Sequence, residues 1–289
     1  MKRVLVTGAT GFIGRHAAPL LWERGYEVHG GGREAADLLD PAAAESLVRE
    51  IRPSHLLHFA WYAVPGKFWT APENAVWVEA SIRLLRAFAD AGGERAVMSG
   101  SCAEYDWSGD GVLSEDRTPL RPGTYYGVCK RALADVGRGL AAERGFGFAW
   151  GRIFFAYGPH EQPGRLVSQV AEALVRGEPA PTSEGTQRRD FLHARDVAGA
   201  FVALLDSTVE GAVNIGSGDA VAVRDVVARI ASAAGRPELV RWGEVPQRAG
   251  DPPVLEADVA RLRDEVGWRP SISLDEGIGE TVEWWKANT

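Results

Sequence analysis

The sequence predicts an α/β fold: a doubly wound parallel sheet with helices on both faces and a smaller, interleaved C-terminal lobe. Three observations carry this. Short apolar runs alternate with amphipathic stretches of helical period from residue 3 to residue 158, and strands alternating with helices build a parallel sheet covered on both sides. The run His-Leu-Leu-His-Phe at residues 55–59 lacks a clean polar face, as suits a strand buried on both faces. A glycine-rich turn, Gly8 to Gly14, separates the first apolar run from the first helical stretch.

Taken in order, residues 3–7 form the first strand and residues 12–24 the first helix. Residues 27–30 are the second strand, 41–52 a helix and 55–59 the third strand. Residues 72–91 form a long helix with Leu84, Leu85 and Phe88 on one side, followed by a strand at 95–99. A helix over 124–144 and a strand over 146–154 complete the regular alternation. Beyond Gly158-Pro159 the pattern is irregular, although 211–216 (G-A-V-N-I-G) has the character of one more core strand. No linker marks the change, so the lobes are expected to interleave. Residues 1–158 and 190–220 are assigned to the sheet domain, 159–189 and 221–289 to a substrate-binding lobe.

Composition narrows the function. The chain has 289 residues, is 45% hydrophobic and carries a formal charge of −7. That balance argues against a nucleic-acid binder, which needs a basic face. The opening M-K-R-V-L-V has no sustained apolar stretch, so no secretory leader is expected, and no run approaches membrane-spanning length. Cys102 and Cys129, the two cysteines, have no metal-type spacing and fit a reducing, cytoplasmic setting; no metal is expected.

Gly8-Ala9-Thr10-Gly11-Phe12-Ile13-Gly14 sets glycines three apart between a strand and a helix. Gly8 permits the tight turn, Gly11 lets the backbone approach a pyrophosphate at the helix N-terminus, and Gly14 allows close packing of helix on strand. This is the Rossmann arrangement for a dinucleotide, with Thr10, Phe12 and Ile13 in the cofactor-binding turn. Where a carboxylate would hold the adenosine ribose, the chain has Gly30-Gly31-Gly32-Arg33-Glu34. Arg33 is placed to meet a 2′-phosphate, so NADP is expected in preference to NAD. Further on, Tyr126 and Lys130 stand one helical turn apart on one face. A phenol of pKa ~10 is a poor acid–base at neutral pH until a nearby cation favours its phenolate, and lysine is scarce here: Lys2, Lys67, Lys130 and Lys286 are the four.

These residues give the chain a resemblance, over nearly its whole length, to the extended short-chain dehydrogenases/reductases that act on nucleotide sugars, the NAD-dependent epimerase/dehydratase family. T-G-A-T-G-F-I-G opens it, Asp37-Leu38 matches the adenine-contacting pair, and His58-Phe59-Ala60 matches the H-x-A after the strand beneath the cofactor. Ser101 and Tyr126-x-x-x-Lys130 match the family's catalytic triad. Residues 152–159 (R-I-F-F-A-Y-G-P), Arg189-Asp190-Phe191, Asn214-Ile215-Gly216 and Arg248-Ala249-Gly250-Asp251 follow in the family's order. The resemblance implies that Tyr126 exchanges a proton with a sugar oxygen, Ser101 hydrogen-bonds that oxygen, and Lys130 holds the nicotinamide ribose. It places Asp37, Leu38, Phe59, Ala60 and Ser99 at the cofactor and implies a homodimer through the helices 72–91 and 124–144.

Departures from the pattern matter as much. Dehydratases of this family carry T-D-E where this chain has Ser101-Cys102-Ala103, and their two carboxyl groups serve as acid and base. Here they are a thiol and a methyl, and Glu104, in an extended segment, is expected to point away. Dehydration is therefore rejected and Glu104 is given a structural or peripheral role. Cys102 is either a small substrate-side contact or packing, and Tyr105 a substrate neighbour. The family's diphosphate-contacting asparagine is replaced by Phe155, and another on the third helix by Trp77. Trp61 begins an aromatic loop that runs to Trp69, at the sheet edge where substrates sit. Arg189 and Arg248 resemble the family's diphosphate-holding arginines and Arg165 lies on the segment that lines that site, where a planar fork suits phosphate oxygens. The leading expectation is an NADPH-dependent reductase of a nucleotide-linked keto sugar, a 4-keto-6-deoxyhexose; the alternative is a nucleotide-sugar 4-epimerase using the same triad. A non-catalytic NADP-binding regulator or a reductase of a non-nucleotide ketone ranks lower.

Overall fold

The computed structural model describes residues 2–31, 36–109, 111–247 and 250–289. In its first half it contains β1 (Arg3–Thr7), α1 (Gly14–Glu23), β2 (Glu27–Gly31), α2 (Pro41–Ile51), β3 (His55–His58), α3 (Glu73–Asp90), β4 (Arg95–Ser101), β5 (Val112–Leu113), α4 (Tyr125–Arg144) and β6 (Gly147–Ile153). Then follow β7 (Phe155–Tyr157), α5 (Leu166–Arg176), β8 (Ala180–Pro181), β9 (Arg188–His193), α6 (Ala194–Asp206), β10 (Gly211–Ile215), β11 (Ala220–Ala222), α7 (Val223–Ala234), β12 (Val240–Arg241), β13 (Val254–Ala257) and α8 (Leu274–Asn288).

Six strands form one parallel sheet in the order β10-β6-β4-β3-β1-β2. Side chains alternate across it, as the pleat demands. Val4 and Val6 join one core with Ala17 and Leu21 of α1 and Val197, Phe201 and Leu205 of α6. Leu5 enters the opposite core with Val48 of α2, Leu84 and Phe88 of α3 and Leu133 of α4. The expected doubly wound parallel sheet is thus present, including the added strand β10. The chain runs from β1 outward to β2 and then returns across β1 to β3, so the order reverses between β1 and β3. Open α/β sheets bind ligands at the carboxyl end of such a switch point.

A second sheet, β11-β9-β13-β5 with β7 also on β9, stands beside the first, and β8 and β12 pair separately. It takes β5 and β7 from within residues 1–158 and draws β9 across the 189/190 division. α5, α7 and α8 close a third core around Val170, Leu174, Val226, Ile230 and Trp285. Among the described residues no helix is long and apolar enough to cross a membrane.

Asp190 in β9 ties these parts together. Its side chain is fully buried and accepts from Ser217 N and Oγ at 2.6 and 2.7 Å, Gly218 N at 2.9 Å and Ala257 N at 3.0 Å. One carboxylate therefore clamps the β10–β11 turn and the end of β13. Asp190→Ala leaves the buried Ala257 N–H and the half-buried Ser217 and Gly218 N–H groups without an acceptor and is expected to cost about 2–3 kcal/mol, read as a lowered denaturant midpoint in equilibrium unfolding.

Candidate functional site

The glycine turn lies at the switch point. Gly8 adopts φ +69°, and a Cβ there would stand 2.9 Å from Ala60 N, so the tips of β1 and β3 approach only because Gly8 has none. At Gly14 a Cβ would run into the Gly8 carbonyl, which is how α1 packs so closely onto β1. Gly11 N donates to Gly8 O at 2.9 Å, and α1 starts at Ile13 without a side-chain cap, leaving backbone N–H groups directed at the turn. The turn opens into a groove of ≈ 720 Å³ lined by Gly8, Thr10, Gly11, Gly30, Gly31, Asp37, Leu38, Ala60, Trp61 and Trp77. That size lies within the ~300–1,000 Å³ typical of cofactor clefts, and the glycine cradle fits a dinucleotide pyrophosphate. Ile13 and Phe59 pack instead at the edge of the first core, Phe59 edge-on to Phe201 at 4.9 Å. Phe12 is half-buried at the turn. Arg33 lies outside the described residues.

His58 beneath the groove bridges Thr7 Oγ1 at 2.7 Å and Ser81 Oγ at 2.9 Å. Burial, with Lys130 nearby, pushes its pKa down to about 3, so the ring is a neutral strut between β1, β3 and α3.

Ser101, Tyr126 and Lys130 come together at the carboxyl end of β4. The local sequence explains how. Thr124 caps α4, its hydroxyl accepting from Gly127 N at 3.1 Å. A Cβ on Gly127 would collide with the Ala103 carbonyl, so glycine lets α4 press onto the turn after Ser101. Tyr126 and Lys130 then share the face towards β4. The Tyr126 phenol lies beside the Ser101 side chain. Lys130 Nζ donates to Ser99 O at 2.8 Å and lies 3.7 Å above the Trp61 ring. Burial pulls the Lys130 ammonium down from 10.5 to about 7, against the raising effect of Glu104. For Tyr126 burial pushes the pKa up, the neighbouring Ser101 hydroxyl lowers it, Glu104 raises it and Arg165 lowers it.

Aromatic rings wall this cluster. Trp61, Phe68 and Trp69 meet Tyr126 edge-on at 6.4, 5.0 and 5.9 Å. Trp61 also lines the groove, and its Nε1 donates to Asn74 Oδ1 at 2.9 Å. Asn74 is fully buried and donates in turn to the Phe68 and Ala71 carbonyls, fixing the loop. The sequence pointed to the aromatic loop from Trp61 to Trp69, but not to its packing around Tyr126 or to Asn74 as its anchor. Arg165 lies 6.0 Å over the Phe68 ring.

In sequence, a profile of the NAD-dependent epimerase/dehydratase family matches residues 4–216. The chain belongs to that family. A UDP-glucose 4-epimerase of Corynebacterium glutamicum is 30% identical over 302 residues, 93% of this chain and 91% of its own. A UDP-glucose 4-epimerase from Thermus thermophilus, solved in complex with NAD, is 28% identical with a TM-score of 0.87, covering 99% of this chain and 100% of that one. MoeE5, solved with UDP-glucose and NAD, is 33% identical with a TM-score of 0.85 and covers 99% of each chain. The chain is thus an NAD(P)-dependent oxidoreductase or epimerase of the epimerase/dehydratase family.

Within this family member, the stretch after Ser101 departs from expectation. It is a 3-10 turn, Cys102–Glu104, rather than an extended segment, and Ser101 with Glu104 forms a capping box. Glu104 therefore folds back instead of pointing away: Oε1 accepts from Ser101 N at 2.8 Å, and the side chain is fully buried. The S-x-x-E spacing is a recognised N-terminal capping signature and was the available signal. Gly100 makes the return possible, since a Cβ there would sit 2.6 Å from Glu104 Oε1.

The remaining candidates divide. Tyr105 is 1% exposed, donating to Asn214 Oδ1 at 2.7 Å and accepting from Arg152 Nη1 at 2.9 Å. Arg189 is buried under Phe155, its guanidinium 5.7 Å from that ring, and pairs with Asp251 at 2.7 Å while donating to the Arg188 and Pro252 carbonyls. Trp77 lies 6.4 Å from Trp61. Arg248 lies outside the described residues. Cys102 is 5% exposed and burial pushes its thiol up to about 12; Cys129 is also buried with its thiol raised. Brief iodoacetamide treatment near pH 8 is therefore expected to leave both thiols unmodified in the folded protein and to alkylate both in denaturant, as read by intact mass.

Proposed function

We propose that the protein is a UDP-hexose 4-epimerase. The observation that carries this is the Tyr126 phenol beside the Ser101 side chain, with Lys130 one turn behind it, next to a glycine-cradled groove. The relatives named UDP-glucose 4-epimerase support the substrate class.

The groove would hold a nicotinamide dinucleotide at Gly8, Thr10, Gly11, Phe12, Ile13 and Gly14, with Asp37 and Leu38 towards adenine and Phe59, Ala60 and Ser99 nearer the reacting end. That group supplies the means to remove a hydride from the sugar and return it. Tyr126 takes the proton from the C4 hydroxyl and later gives it back, a task that needs a phenol held near its phenolate form. Ser101 hydrogen-bonds the same oxygen. Lys130 supplies the cation that favours the phenolate and reaches the nicotinamide ribose. Trp61, Phe68 and Trp69 exclude water from Tyr126 and offer apolar faces to the sugar. Arg165, Arg189 and Arg248 are the proposed diphosphate contacts, with Cys102, Tyr105 and Phe155 forming the wall behind the sugar. For Arg189 this requires exchange of the Asp251 partner for phosphate.

No carboxyl pair faces Tyr126 from this turn: Cys102 and Ala103 carry none, and both Glu104 oxygens are engaged. That supports proton and hydride exchange at one carbon over loss of water. A second reading, an NADPH-dependent keto-sugar reductase, is favoured by Arg33 beyond β2, whose last residues, His29, Gly30 and Gly31, bear no acid. The family's dimeric assembly is supported here by exposed Val76 on α3 and Val128 and Val136 on α4.

Purified protein with UDP-glucose or UDP-galactose is expected to interconvert the two with no net consumption of NAD or NADP, as followed by product analysis and nicotinamide absorbance. Tyr126→Phe is expected to lower kcat by roughly 10²- to 10⁴-fold while leaving dinucleotide binding intact by calorimetry. Stoichiometric loss of NADPH with a 4-keto sugar, and no interconversion, would replace the epimerase reading with the reductase.

A further inference from the structure

We infer that Glu104 is a positioning residue of this site: its carboxylate fixes the backbone of Ser101 and sets a buried negative charge against Trp150, whose ring lies 5.9 Å from Lys130 Nζ. The inference rests on the proposed roles of Ser101, Tyr126 and Lys130. Glu104 Oε1 accepts from Ser101 N at 2.8 Å and from Trp150 Nε1 at 2.9 Å. Oε2 accepts from Arg152 Nε at 2.9 Å and from Trp150 Nε1 at 3.1 Å. Ser101 Oγ meanwhile accepts from Ala103 N at 3.2 Å, so the residue is held from both ends of its own turn.

A buried ion pair is a costly way to hold a turn, because well-packed apolar side chains of similar volume often serve stability as well or better. This one has a directional effect that an apolar plug lacks. Glu104 raises the pKa of Lys130 and of Tyr126. It thereby opposes the burial that drives Lys130 towards its uncharged form, in which it could not favour the phenolate. The other titratable groups around the pair are Arg152 and Tyr105 beside Glu104, Arg165 and Cys102 facing Tyr126, and His58 facing Lys130. His58 is held neutral, Cys102 stays a thiol, and Arg152 is already matched by Glu104.

Two substitutions separate reach from charge. Glu104→Gln keeps an oxygen for Ser101 N and removes the charge. Lys130 and Tyr126 both lose a negative neighbour, so both pKa values fall. The pH optimum of kcat/KM is expected to move about one unit to lower pH. Glu104→Asp keeps the charge and withdraws the oxygen by one methylene, so kcat is expected to fall roughly ten- to a hundredfold with the optimum in place. Should Glu104→Gln fail to fold by thermal denaturation, Glu104→Asp still tests the hold on Ser101. An independent readout is the pH dependence of Lys130 acylation by acetic anhydride, resolved by mass spectrometry in a chain with four lysines. Its midpoint is expected to fall in Glu104→Gln and to stay in Glu104→Asp. An unmoved optimum and acylation midpoint in Glu104→Gln, or wild-type kcat in Glu104→Asp, overturns the inference. Wild-type protein inactive on UDP-hexoses overturns the functional reading instead, and the acylation midpoints still decide the role of Glu104.

Discussion

The buried pair between Glu104 and Arg152 is the interaction on which the rest of this site depends. The two side chains are 0% and 5% exposed and meet at 2.9 Å. Two charges out of water destabilise a fold unless every lone pair and N–H finds a partner. The surroundings supply most of those partners. Trp150 Nε1 and Ser101 N complete the carboxylate, and Arg152 Nη1 reaches the Tyr105 hydroxyl. Tyr105 passes the chain on to Asn214, whose Nδ2 donates to Leu113 O and Asp258 O and whose N donates to Glu115. A continuous polar path thus runs from the end of β4 through β6 and β10 to the segment that opens the second sheet. The position of Ser101 is consequently set by both lobes at once.

The other fixed point is the meeting of β1 and β3 at Gly8 and Ala60, where the glycine-lined groove begins. Between these points runs the loop that starts at Trp61. Its rings contact Lys130 and Tyr126, while buried Asn74 anchors its backbone and indole. The groove and the Tyr126–Lys130 cluster therefore share a wall, Trp61, and neither can be reshaped without moving the other. A protein named UDP-glucose 4-epimerase and another solved with UDP-glucose share this fold over nearly their whole length.

Much was legible in the chain because it depends on short-range spacing. Strand and helix periods, glycines three apart and a phenol four residues before an amine are local rules, and each element they announced is present. What was read less well depends on a turn and on distant partners. Treating the residues after Ser101 as extended sent Glu104 outward, whereas the capping box closed a 3-10 turn and brought it in. Tyr105 looked available to a substrate because nothing in its vicinity revealed Asn214, more than a hundred residues on. Arg189 likewise meets Asp251 only through the pairing of β9 with β13.

By itself the sequence determined the doubly wound sheet, the glycine cradle, the membership in a nucleotide-sugar family and the pairing of Tyr126 with Lys130. The membership rests on the resemblance of motifs in their order; the rest follow from backbone sterics and helical period, which neighbours along the chain decide. Only the tertiary structure decided which charges are paired, which rings surround the phenol and which way Glu104 points. Those outcomes depend on what burial demands: a charge or donor removed from water must find its partner wherever the fold brings one.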